Sequence, residues 1–124
     1  MILGIGTDIV EIHRIEKKVE NNPSFLQHVF SENEIIYCQK QKKAAMHFAA
    51  RWAAKEAFLK AIHVQFIGNH KLSQIEVCHS EHGKPYIELT GIEKTNADQL
   101  GITHIHVSLS HTEHHAIAYV IVEK

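Results

Sequence analysis

From Ile2 to Val10 the chain is apolar and β-branched with two glycines, which predicts an opening strand ending near Asp8. The period then changes. Ile12, Ile15 and Val19 recur at helical spacing, so an amphipathic helix is expected from Glu11 until Asn21-Asn22-Pro23 stops it. Phe25, Leu26, Val29 and Phe30 predict a short second helix, and Ser31 with Glu34 is a capping box opening a third, through about Gln41. Residues 44–62 carry the strongest helical signal: alanine-rich, free of Gly and Pro, with Phe48, Trp52, Lys55 and Leu59 near one face. Beyond a loop containing Gly68, Leu72–His79 and Pro85–Leu89 read as a hairpin across Glu-His-Gly-Lys. A helix from Ile92 to Leu100 closes at Gly101, and Ile105–His111 and Ala116–Val122 form a last strand pair.

Strand, helices, hairpin, helix, hairpin is the order of an α+β domain: a mainly antiparallel sheet packed against a long central helix and shorter helices. At 124 residues the chain is expected to form a single domain over 1–124, with a modest core. A deep cleft is hard to build in so small a body, so a site completed at a subunit interface is anticipated. A formal charge of −1 argues against a nucleic-acid binder, and the 12 histidines would make the chain basic only in mild acid. Cys38 and Cys78 have no CxxC partner spacing, which fits a reducing, cytoplasmic setting better than a disulfide-stapled secreted one. No stretch approaches the roughly 18 to 20 apolar residues of a membrane span, and the N-terminus lacks the basic start of a signal peptide.

Four groupings could carry chemistry. Asp8, at the end of an apolar strand, is costly there unless it pairs or faces a cleft. Spacing alone favours a helix cap over a metal ligand for it. Glu56 lies mid-helix on a surface that is otherwise mostly alanine, and taken alone it reads as a solvated glutamate. Lys60 is four residues on, so the two share a face, either as an ordinary i,i+4 pair or as a metal carboxylate beside a phosphate-binding cation. Ser108–Thr112 sets hydroxyls and His111 at a strand end, where a hydrolytic arrangement lacks the Gly-x-Ser-x-Gly elbow and a turn histidine is the simpler reading. His104 and His106 could bind zinc with a third ligand, but chance HxH pairs are expected among so many histidines.

Three segments together resemble the holo-acyl carrier protein synthase family. They are Gly-Ile-Gly-Thr-Asp-Ile-Val-Glu-Ile at 4–12 with Arg14, the helix running Phe48-Ala-Ala-Arg-Trp-Ala-Ala-Lys-Glu-Ala-Phe-Leu-Lys-Ala61, and Gly83-Lys84-Pro85 with Ser108–Thr112. They fall in the family's order and spacing over nearly the whole chain. The resemblance implies the phosphopantetheinyl transferase fold. It also implies transfer of 4′-phosphopantetheine from coenzyme A to a serine of apo-acyl carrier protein, in support of fatty acid biosynthesis. Asp8 and Glu56 would bind Mg²⁺ (Mn²⁺ as a substitute), which reverses the capping preference for Asp8. Glu56 and Lys60 would act in catalysis, with Lys60 beside the coenzyme A pyrophosphate. Arg51, His111 and the turn Gly83, Lys84, Pro85 would meet the 3′-phosphate end, and Arg14, Lys17 and Lys18 an acidic carrier. Relatives are homotrimers with sites between protomers.

Two departures from the family pattern stand out. His63–Gly68 reads His-Val-Gln-Phe-Ile-Gly where a glycine-rich loop is usual, and Asn21–Ser24 lacks the extra arginines of many relatives. The base that takes the serine proton is not evident, Glu56 through a water being one candidate. A coenzyme A-binding module without transfer and a histidine-rich zinc protein remain the alternatives. Intact Asp8, Glu56 and Lys60 argue against the first, and the second requires zinc binding that survives loss of both carboxylates.

Overall fold

A computed structural model describes residues 1–63 and 70–124. Among the described residues, five strands and five α-helices follow in the order β1 (Ile2–Glu11), α1 (Ile12–Asn21), α2 (Pro23–Val29), α3 (Glu32–Gln39), α4 (Ala44–Ala61), β2 (Ile75–His79), β3 (Pro85–Leu89), α5 (Gly91–Leu100), β4 (His104–His111) and β5 (His115–Glu123). The α+β class follows from the residue patterns, but the strands divide into two antiparallel sheets: β1-β5-β4, and the separate hairpin β2-β3. The expected strand at Leu72 begins instead as a 3₁₀ turn, Leu72–Gln74, because the Leu72 carbonyl accepts from Lys55 Nζ and the Gln74 carbonyl from the Thr90 amide. No helix among the described residues is long and apolar enough to cross a membrane.

Strand β5 lies between β1 and β4, joining the first and last thirds of the chain. Its alternation is clean: Ala116, Ala118, Val120 and Val122 are buried, while Ile117 and Tyr119 face out. Helix α4 packs across the inner face of this sheet, with α1, α3 and β2 against its other sides. It is therefore buried nearly all round. The alanines flanking Glu56 are core residues, not a bland solvent surface: Ala53, Ala54, Ala57 and Ala61 are all fully covered.

Small residues make that packing possible. Gly4, Gly6, Asp8 and Val10 share the inward face of β1. A Cβ on Gly4 would lie 1.8 Å from the Ala61 carbonyl oxygen, and one on Gly6 would lie 2.0 Å from that of Ala57. Backbone cannot yield as a side chain can. Gly6→Ala is expected to lose at least about 2–3 kcal/mol of stability, the upper range of overpacking costs, in urea denaturation. A loss under about 1 kcal/mol would show that β1 is not held against α4 in this way.

Elsewhere the local signals act as written. Ser31 Oγ accepts from the Glu34 amide at 3.2 Å, and the Glu34 carboxylate accepts from the Ser31 amide at 2.9 Å, completing the box. Gly83 (φ 80°) sits in the β2–β3 turn, donating its amide to the Ser80 carbonyl, and Gly101 (φ 75°) ends α5 in the left-handed region. The Gly68 part of the loop departure lies outside the described residues.

Candidate functional site

Asp8 is not a helix cap. Strand β1 runs past it to Glu11, pairing Asp8 with Ala118 of β5, and the α1 amide of Ile12 is instead met by the His114 carbonyl. Asp8 stands on the inward face two residues beyond Gly6, where the close helix contact opens. Lys60 reaches across from α4 to meet it: Nζ lies 3.1 Å from Asp8 Oδ1 and 3.0 Å from the Thr7 carbonyl oxygen. The i,i+4 expectation for Glu56 and Lys60 thus gives way to a pair between helix and strand. Glu56, half-buried one residue before Ala57, feels both charges. Burial and then the Asp8 carboxylate push its pKa up, and Lys60 opposes them. Two carboxylates that repel one another, with a lysine alongside, offer the all-oxygen donor set that suits a hard divalent cation.

A second cluster lies nearer the N-terminal end of α4. Arg51 is only 2% exposed. Its Nη1 donates to the His47 carbonyl at 3.4 Å, its Nη2 meets His79 Nδ1 at 3.2 Å, and its guanidinium lies 4.4 Å from the Tyr37 ring centroid. Tyr37 stacks on His79 at 5.2 Å. His79 pairs across the hairpin with Pro85, which brings the Gly83–Pro85 turn beside this cluster. His111, exposed at the end of β4, is close enough to influence His47. Burial, Arg51, His79 and His111, in that order, hold His47 below the usual imidazole range.

A cleft of about 1080 Å³ opens beside that cluster, lined by Gln39, Lys42, Lys43, Met46, His111 and Thr112, with Ile12, Glu16, Val19 and Glu20 of α1 also on its walls. It does not include Asp8 or Glu56. Met46 and Glu56 are ten residues apart on one helix, which separates them by roughly 15 Å at 1.5 Å per residue. A ligand that touches both regions must be long.

On α1, Arg14 and Lys17 are exposed, and Ile15 is fully buried. Lys18 departs from the expected basic flank: its ammonium sits 5.5 Å from the Phe25 ring centroid and 5.6 Å from that of Trp52, so its stem packs on aromatic surface.

The model of the 4′-phosphopantetheinyl transferase superfamily matches residues 4–120. The chain belongs to this superfamily. It is 43% identical to the holo-[acyl-carrier-protein] synthase of Geotalea daltonii, over 100% of each chain. Its structure superimposes on the crystal structure of holo-[acyl-carrier-protein] synthase from Neisseria meningitidis with a TM-score of 0.90, 31% identity and full coverage of both chains. It also matches the Helicobacter pylori synthase solved in complex with coenzyme A, with a TM-score of 0.80 and 34% identity over 96% of this chain and 99% of that one.

Several residues that the structure brings to this region were not singled out from the sequence. Tyr37, His47 and His79 come from α3, α4 and β2, so no local spacing joins them. Lys42 and Lys43 did leave a signal, the basic run Lys-Gln-Lys-Lys at 40–43 immediately before the central helix.

Proposed function

We propose that this chain transfers 4′-phosphopantetheine from coenzyme A to a serine of apo-acyl carrier protein, releasing adenosine 3′,5′-bisphosphate, in support of fatty acid biosynthesis in the cytoplasm. The observation that carries the reading is the convergence of Asp8, Glu56 and Lys60 on one side of α4, with buried Arg51 nearer its start and Lys42 and Lys43 lining the cleft beyond it. Coenzyme A carries a 5′-pyrophosphate and a separate 3′-phosphate, so it presents anionic groups at more than one place along its length.

Asp8 and Glu56 are the residues suited to hold Mg²⁺, with Mn²⁺ as a substitute, and the ion supplies charge stabilisation for the pyrophosphate. Lys60, fixed by Thr7 and Asp8, presents the remaining N–H donation of its ammonium to the same phosphates. The serine oxygen attacks the phosphorus bearing pantetheine, the bond from that phosphorus to the bridging oxygen breaks, and adenosine 3′,5′-bisphosphate leaves with the electron pair. Most of the catalytic effect is then positioning and electrostatic stabilisation of the leaving phosphate. Glu56, whose pKa is raised, is one candidate to accept the serine proton through a water. Arg51, His111 and the turn of Gly83, Lys84 and Pro85 serve the 3′-phosphate end. The deciding experiment mixes the protein with apo carrier, coenzyme A and Mg²⁺ and weighs the carrier. A pantetheine-sized mass gain that chelation abolishes is expected, and no gain would overturn the reading.

A homotrimer with shared sites agrees with one further feature. The outer face of the three-stranded sheet is apolar and open: Ile5 is 53% exposed, Ile9 63%, Ile117 40% and Tyr119 44%. Ile9 and Ile117 are cross-strand partners, so these side chains form a contiguous patch of the kind that subunits cover. Mixing inactive Glu56→Ala subunits with inactive His111→Ala subunits should restore part of the activity, since some mixed sites would be intact. A fully active monomer in sedimentation would rule the assembly out.

Carrier docking falls to Arg14 and Lys17, with Lys18 behind them on its aromatic shelf. Acyl carriers are acidic, so this flank steers them and loses that steering as salt rises. Arg14→Ala is expected to raise KM for the carrier several-fold and leave KM for coenzyme A unchanged. A rise confined to coenzyme A would move Arg14 into the nucleotide site.

A further inference from the structure

Arg51 is a buried cation without an acidic partner. Among the described residues no carboxylate lies within ion-pair distance of it, and its Nε is buried with no hydrogen-bond partner at all. A charge so placed is expensive to keep unless an anion completes its surroundings. What the fold supplies meanwhile is neutral: the face of Tyr37, the His47 carbonyl and the imidazole of His79.

The bond to His79 fixes more than a distance. A guanidinium nitrogen can only donate, so His79 Nδ1 must be the acceptor, with its lone pair toward Arg51. The ring is therefore neutral with its proton on Nε2. Burial, and then the charge of Arg51, hold its pKa below the usual imidazole value, in keeping with that tautomer. Stacking on Tyr37 at 5.2 Å with a 19° interplanar angle fixes the ring plane, and the cross-strand pairing with Pro85 fixes the backbone beneath it. Each of these restraints acts on His79, and His79 in turn acts on one nitrogen of Arg51.

We propose that His79 is a positioning residue for nucleotide binding: its Nδ1 holds the Arg51 guanidinium in the orientation that receives a phosphate group. This rests on the reading of the site as one for coenzyme A. His79 makes its contribution through Arg51 and touches no reacting atom, so its loss acts on nucleotide affinity and leaves the chemical step and the carrier alone.

The test uses the full-length protein and adenosine 3′,5′-bisphosphate as the calorimetric probe, with steady-state transfer alongside. His79→Ala is expected to weaken binding of the probe about tenfold, the scale of one charge-assisted hydrogen bond. KM for coenzyme A should rise in parallel, with kcat and KM for the carrier within about twofold, a spread too small to reflect loss of such a bond. His79→Asn places an amide oxygen near the position of Nδ1 and should recover most of the lost affinity. His79→Lys, which presents a donor and a charge to the guanidinium, should bind worse than His79→Ala. Unchanged probe affinity in His79→Ala would overturn the proposal, as would failure of His79→Asn to recover it while both variants melt with the wild type. If the wild-type protein itself binds neither the probe nor coenzyme A, the site reading has failed instead.

Discussion

Asp8→Ala and Glu56→Ala should each lower transfer to apo carrier by about 10² or more, the scale seen when one preorganised charge-stabilising group is removed. Glu56→Ala should not weaken the fold of the metal-free protein, whereas Asp8→Ala also gives up the 3.1 Å pair with Lys60. The reason is the charge arrangement: burial and then Asp8 push the Glu56 pKa up against the opposing pull of Lys60, so ionised Glu56 is a cost to folding that a bound divalent cation would relieve. The sign follows from linkage. A carboxyl that holds its proton more tightly when folded than when unfolded destabilises the native state above its ordinary pKa, and that cost vanishes as pH falls below it. Glu56→Gln should therefore raise the melting temperature of chelator-treated protein at neutral pH, with the gain fading toward pH 4. Mg²⁺ should raise the melting temperature of the wild type and not that of the variant. Near-normal turnover in Asp8→Ala or Glu56→Ala would sink the assignment of these residues, whatever the thermal data show.

The second large effect concerns stability. Lys55 and Glu34 form an ion pair at 2.7 Å with both side chains at 0% exposure. Nothing is left unsatisfied in it. Lys55 Nζ also donates to the carbonyls of Leu72 and Ile75, while Glu34 accepts from the Ser31 amide at 2.9 Å and the Val77 amide at 3.0 Å. One carboxylate thus ties the start of α3 to α4 and β2. Burial pulls the Lys55 pKa below the usual lysine range, and the charge and hydrogen bond of Glu34 work against that pull. Removing either partner strands the other in the core. Lys55→Met and Glu34→Ala should each lose about 3–5 kcal/mol in urea denaturation. The double variant should lose less than the sum, since no bare charge remains. A single-variant loss under about 1 kcal/mol would mean that water reaches the pair, a surface-like value.

The two predictions concern neighbouring residues of one helix, and they mark where local pattern stops being informative. Lys55 and Glu56 are adjacent in the chain and both charged, yet one is locked in the core and the other borders the site. The sequence pattern could place both on α4 but not distinguish their surroundings, because α4 is covered on nearly every side and has no clean polar face. Family resemblance, not spacing, pointed to Glu56 and to Asp8.

What the amino-acid sequence by itself determined was everything that depends on neighbours within a few positions. The spacing of Ile12, Ile15 and Val19 made α1, the alanine run made α4, Ser31 and Glu34 made the cap of α3, and Gly83 and Gly101 allowed the left-handed turns. Those are short-range effects of backbone sterics, capping and periodic burial. The tertiary structure alone decided the rest. Pairing of β1 with β5 carried the strand beyond Asp8 and removed it from the cap position. Contact of Gly4 and Gly6 with the α4 backbone set Asp8 beside Lys60 across 52 residues of chain. The hairpin β2-β3, separate from the main sheet, brought His79 to Arg51. Each of these is a long-range juxtaposition, and its energy comes from burial and from partners that no local window contains.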